Sequence, residues 1–94
     1  MQHRITAASA LDGYRLALVF DGDVAATVDL APFFAEGEVT EPFRRDPNLF
    51  AAGLTIGGDG DWLAWPNEVE IDADALWYKV FPDDLRRDHG VEAA

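Results

Sequence analysis

Hydrophobic positions in the first third of this chain repeat with period two. Tyr14, Leu16, Leu18 and Phe20 share one parity, and Arg15, Ala17 and Val19 share the other. Strict alternation predicts a strand with one well-buried face over 14–20. The pattern recurs over 24–30, with Val24, Ala26, Val28 and Leu30 against Ala25, Thr27 and Asp29. Ile and Thr enrich 5–11, which predicts a strand ahead of these two. Asp12-Gly13 and Asp21-Gly22-Asp23 separate the three runs. Such pairs supply the positive φ that tight hairpin turns need. Three strands and two tight turns predict an antiparallel meander.

The period breaks after residue 30. Pro32 cannot donate to a ladder, so the third strand should stop there. Pro32, Phe33, Phe34 and Ala35 suit one helical turn, and Glu36-Gly37-Glu38 a loop. The pattern over 39–43 fits neither helix nor strand, and Pro42 excludes a central strand. Phe33, Phe34 and Phe43 are expected to fold back over the sheet. A short helix is predicted over 46–53, with Asp46 as N-cap, Pro47 in its first turn and Gly53 at its end. Its Leu49 and Phe50 would face the sheet.

A second hairpin follows. Residues 54–56 and 62–65 flank Gly57-Gly58-Asp59-Gly60-Asp61, with Leu54 matched to Ile56 and Leu63 to Trp65 in parity. Pro66-Asn67-Glu68 predicts a turn and 69–71 a short strand. Asp72 is the expected N-cap of a helix over 73–80, where Leu76, Trp77 and Val80 lie within a turn of one another. Pro82 should end it. The expected fold class is α+β: an antiparallel β-meander plus a second hairpin, with two short helices packed on the sheet. Residues 1–82 would form the domain and 83–94 a charged, flexible tail.

This order of motifs resembles a known family. Arg4-Ile5-Thr6, the run from Tyr14 to Gly22, Val28-Asp29-Leu30, Phe43, Asp46-Pro47 with Phe50, Trp65-Pro66-Asn67, Ile71-Asp72 and Asp74-Ala75-Leu76 are similar to domain-of-unknown-function family 2442. The similarity spans about residues 4–78. It implies an α+β fold like the N-terminal domain of a Nitrosomonas protein. It also implies a bacterial context in which members precede a helix-turn-helix or are encoded beside a small partner, as in toxin–antitoxin-type pairs. Two departures stand out. Glu68 replaces the glycine of the family's W-P-N-G pattern, and too few residues follow Pro82 for a helix-turn-helix.

Charge narrows the partners. Seven basic residues against eighteen acidic give a formal net charge of −11 over 94 residues. This argues against phosphate-backbone binding, which needs clustered Lys and Arg, and against anionic membrane surfaces. A basic protein partner suits it. There is no cysteine, which removes disulfide, thiolate and Cys-zinc chemistry. The N-terminus shows no signal-peptide core, and no apolar run approaches a membrane span of about 20 residues, so a cytoplasmic location is expected.

Candidate chemistry is sparse. The 57–61 segment resembles a phosphate or cation loop. However, no helix follows it, its carboxylates would repel phosphate, and a calcium loop's twelfth position falls beyond a strand. A hairpin turn is the better reading. Glu70, Asp72 and Asp74 could pair as general acid and base, but acids at a helix start are the simpler account. His3 and His89 read as surface residues, and Ser9, the single serine, has no nearby histidine for a triad. No catalytic residue, metal ligand or cofactor is therefore expected. Trp62 and Trp65 fall on opposite faces of one strand, so Trp65 should be core and Trp62 edge packing or an interface anchor.

These features favour a non-enzymatic interaction or regulatory module, the acidic antitoxin-like partner of a small basic protein. The candidate partner-binding residues are Trp62, Trp65, Asn67, Trp77 and Tyr78. The alternative is a small-molecule sensing domain with an aromatic pocket between 33–43 and 72–80. A homodimer through an open sheet edge or the Trp62 surface is also compatible.

Overall fold

A computed structural model describes residues 3–84. β1 (Ile5–Ala10), β2 (Arg15–Phe20) and β3 (Val24–Asp29) form an antiparallel sheet in the order β1-β2-β3. The expected meander is present. Leu16 pairs with Val28, Leu18 with Ala26 and Phe20 with Val24, which puts the apolar parity of both strands on one face. Leu16, Leu18, Phe20 and Val28 are buried there. A break in register near Ile5 and Ala7 adds a bulge at the start of β1.

Tyr14 departs from the expected strand. It ends a 3-10 turn, Asp12–Tyr14, with φ +68 after Gly13 at +65. The loop therefore holds three residues rather than the expected two, and two left-handed residues reverse the chain. A bulky side chain in that region is strained. Tyr14 has compensating contacts: its hydroxyl donates to the Phe43 carbonyl at 2.9 Å and its ring stacks on Phe34 at 5.2 Å.

Three short helices follow: α1 (Ala31–Phe34), α2 (Glu41–Arg45) and α3 (Asn48–Ala52). The ambiguous 39–43 segment thus becomes the approach to α2, with Pro42 in its first turn, where a missing N–H costs nothing. Pro47, not the expected Asp46, holds the N-cap position of α3; Asp46 stands one residue earlier, its Oδ1 accepting the Asn48 N–H at 3.2 Å. Phe34 stands at the centre of an aromatic cluster with Tyr14, Phe43, Phe50 and Trp65, at centroid distances of 5.1–5.5 Å. Phe33 does not fold back as expected; it is 47% exposed. Neighbours on a helix point about 100° apart, so only one of the pair can enter the core.

β4 (Thr55–Gly57), β5 (Trp62–Trp65) and β6 (Val69–Asp72) form a second antiparallel sheet in that order. The expected hairpin is thus extended by the 69–71 strand. Leu63, Trp65 and Val69 are buried toward the common core, while Ile56, of the same parity, sits at the edge and is 41% exposed. α4 (Ala73–Val80) follows with Ala73 and Leu76 buried, and 82–84 form a further helical turn. Asp72 holds the N-cap position, but its side chain makes no capping bond; the Ala73 N–H is taken by the Asp61 carbonyl at 2.8 Å. Helices of four residues or more thus number four among the described residues, not two. Most of the expected tail, and His89 with it, lies outside the described residues.

Candidate functional site

The five candidate residues do not gather into one patch. Trp65 is core: it is 5% exposed, stacks on Phe50 at 5.7 Å and donates Nε1–H to the Phe50 carbonyl at 3.0 Å. Burying an indole stabilises only when its N–H finds an acceptor, and the end of α3 supplies one. Asn67 lies in the turn after β5 with φ +66, and its amide donates to the Val39 carbonyl at 2.7 Å. It ties the second sheet to the loop between α1 and α2.

Trp62 is half-buried and turned inward on its own hairpin. A Cβ placed on Gly57 would lie 2.2 Å from the indole Nε1, and one on Gly58 2.5 Å from its six-membered ring. Gly57 is its cross-strand partner. The indole lies over bare glycine backbone, an arrangement that repairs the missing side-chain contact of a strand glycine. The 57–61 segment is the expected turn. Gly60, at φ +100, approaches Ile5 so closely that a Cβ would meet its carbonyl oxygen at 2.5 Å. Gly60 is what lets the second hairpin seat against β1.

Trp77 and Tyr78 lie on α4, and His3, ahead of β1, packs against both. The His3 ring stacks on Trp77 at 4.1 Å and meets Tyr78 edge-on at 5.5 Å. Its backbone N–H donates to Asp74 Oδ1 at 2.9 Å. This corrects the surface reading of His3, which is half-buried. Distance along the chain hides a contact between residues 3 and 77. Trp77 also packs edge-on to Phe20 at 4.9 Å and donates Nε1–H to Asp84 Oδ2 at 2.9 Å. Glu70 is exposed on β6, while Asp74 accepts from His3. Among the described residues, no three His, Cys, Asp or Glu side chains gather to hold a metal ion.

Two features had no signal in the sequence. Arg44 donates to the Phe34 carbonyl at 3.0 Å, to Thr40 Oγ1 at 2.9 Å and to the Gly37 carbonyl at 2.9 Å. Thr40 is buried and donates to the Glu36 carbonyl at 3.0 Å. One guanidinium thereby orders the whole loop between α1 and α2. The second feature is the outer face of the meander. Its rows are Ala7–Val19–Ala25 and Ser9–Ala17–Thr27, small side chains over a shallow hollow. Only period two marks these positions, and it cannot say whether a second layer covers them.

Elsewhere a hollow of about 640 Å³ lies between the 12–14 turn and α3, lined in part by Leu11, Asp12, Tyr14, Arg15, Asn48 and Phe50. Trp77 and Tyr78 do not line it. No helix among the described residues is long and apolar enough to cross a membrane.

Two three-stranded antiparallel sheets, four short helices and a shared aromatic core define a small α+β protein. The chain belongs to the family described as protein of unknown function (DUF2442), whose profile matches residues 5–82. No curated protein and no solved structure matches it.

Proposed function

We propose that this chain is a non-enzymatic interaction module of the cytoplasm, the acidic, antitoxin-like half of a pair whose other half is a small basic protein. The observation that carries this reading is the excess of eighteen acidic over seven basic residues in 94. Such a field steers basic partners and repels nucleic acid. Trp62, Trp65 and Asn67 serve the fold, so their role in binding is to hold the surface in shape. Trp77 and Tyr78 remain half-buried on α4. The test is affinity purification of the tagged chain from its native cell, with native mass measurement. A stoichiometric basic partner supports the reading; a lone chain with no co-purifying protein overturns it.

A small-molecule sensing role is the second reading. The hollow beside Tyr14, at about 640 Å³, favours it because ligand sites commonly span roughly 300–1,000 Å³ with few polar groups. Ligand-induced shifts of Leu11 and Asn48 amides in a fragment screen would support it, and a screen without such shifts would exclude it.

A further inference from the structure

β3 leaves one edge of the meander without a paired strand, with α4 packed beside it. The Leu30 N–H bonds to the Tyr14 carbonyl at 2.9 Å, which extends the β2–β3 ladder by one pair. Peptide groups alternate in direction along a strand, so Val24, Ala26 and Val28 aim theirs at β2. Ala25, Thr27 and Asp29 aim theirs away from the sheet. Among the described residues, no hydrogen bond takes up the backbone N–H or C=O of Ala25 or Thr27. Both residues are exposed. A groove of about 430 Å³ runs alongside, between Thr27, Val28 and Asp29 on one wall and Pro32, Lys79 and Val80 on the other.

Two of the other three edges are managed. The turn carrying Gly60 packs on β1 at Ile5, and β4 has only three residues. Val24-Ala25-Ala26-Thr27 has no Lys, no Pro and no bulge, the usual devices that keep an edge from pairing. Carboxylates bracket it instead: Asp21 and Asp23 before it and Asp29 at its end, against Arg15, the partner of Asp29, and Lys79 across the groove.

We infer that the free edge of β3 accepts an extended segment of a basic partner protein, which joins the meander as a fourth strand through the backbone of Ala25 and Thr27. The inference rests on the interaction-module reading and names its binding surface. A second copy of this chain fits less well, because it would bring the same carboxylates together and double a net charge of −11. Main-chain bonds supply the pairing, and small outward side chains leave room for the partner's own. The segment recognised is about five small or β-branched residues with Lys or Arg at its ends.

The experiment uses the ¹⁵N-labelled full chain and two short peptides of alternating Val and Thr, one ended by Arg and the other by Glu. The Arg-ended peptide is expected to shift the Ala25 and Thr27 amides and slow their hydrogen exchange. The Glu-ended peptide should bind at least about tenfold more weakly. Thr27→Pro removes an outward N–H without touching the ladder to β2, and should cut affinity at least about tenfold. Should that variant not fold, Ala25→Lys places a repelling charge on the same edge. Shifts confined to other residues, or affinity unchanged in the variants, overturn the inference. So does a concentration-dependent doubling of mass that Thr27→Pro abolishes, which assigns the edge to a second copy. A native partner that co-purifies equally with Thr27→Pro overturns the edge and leaves the interaction module standing. Peptide pairing at the edge with no native partner supports the edge and removes the interaction module.

Discussion

Glu68 sits at φ +63, directly after Asn67 at φ +66. Asparagine tolerates that region; a long charged side chain gains nothing there to offset the strain. Glu68→Gly is expected to raise the unfolding free energy by about 0.5–1 kcal/mol, the relieved strain less the extra entropy of glycine. Urea denaturation measures it, and a lowered midpoint would contradict the left-handed assignment. Gly60 presents the opposite case. Its φ of +100 and a Cβ contact of 2.5 Å with backbone leave no side chain room. Gly60→Ala should cost about 2–4 kcal/mol and weaken the seating of the second hairpin on β1. Faster amide exchange at Ile5 and Trp62 would report that loosening.

α2 is too short to persist alone and depends on what its residues reach. Arg44 reaches three oxygens across the loop it closes. Arg44→Ala should cost about 2–3 kcal/mol, since it leaves buried Thr40 and two carbonyls short of a charged donor. Amide exchange over 35–40 should rise before the rest of the fold opens. Its neighbour Arg45 acts differently. Arg45 hydrogen-bonds Glu41 one turn away and holds that carboxyl below its usual range, while Glu41 raises Arg45. Glu41's folded pKa lies below its unfolded value. Its contribution is therefore present above the unfolded value and lost as pH falls through the folded one. Both side chains are largely exposed, so the effect is small. The stability difference between wild type and Glu41→Gln should shrink as pH drops below the glutamate range, and largely vanish in about 1 M salt. Paired urea titrations across pH would check this.

A net charge of −11 on a chain of 94 residues loads the folded state with self-repulsion. Raising salt from about 0.01 to 0.15 M shortens the screening length from about 30 to 8 Å. The thermal midpoint should rise over that range, as read by circular dichroism, while affinity for a basic partner falls. A midpoint that fell with salt would mean that the paired charges outweigh the repulsive ones.

Much of this architecture follows from the sequence. Period two over β2 and β3 with the Asp-Gly turns determines the meander, Asp46-Pro47 the start of α3, the glycine-rich 57–61 segment the second hairpin, and the spacing of Leu76, Trp77 and Val80 α4. They act through local sterics and through burial of one strand face. The core role of Trp65 also follows, because it shares parity with Leu63. Tertiary structure decided the rest. Tyr14 left its strand because the three-residue turn and the ring of Phe34 outweighed alternation. Phe33 stayed outside because Phe34 took the single inward direction. Trp62 folded over glycine and His3 docked on Trp77 through contacts that no spacing encodes. The unpaired edge of β3 belongs to the same class: parity shows which way its side chains point, and only the assembled fold shows that no strand among the described residues pairs with it.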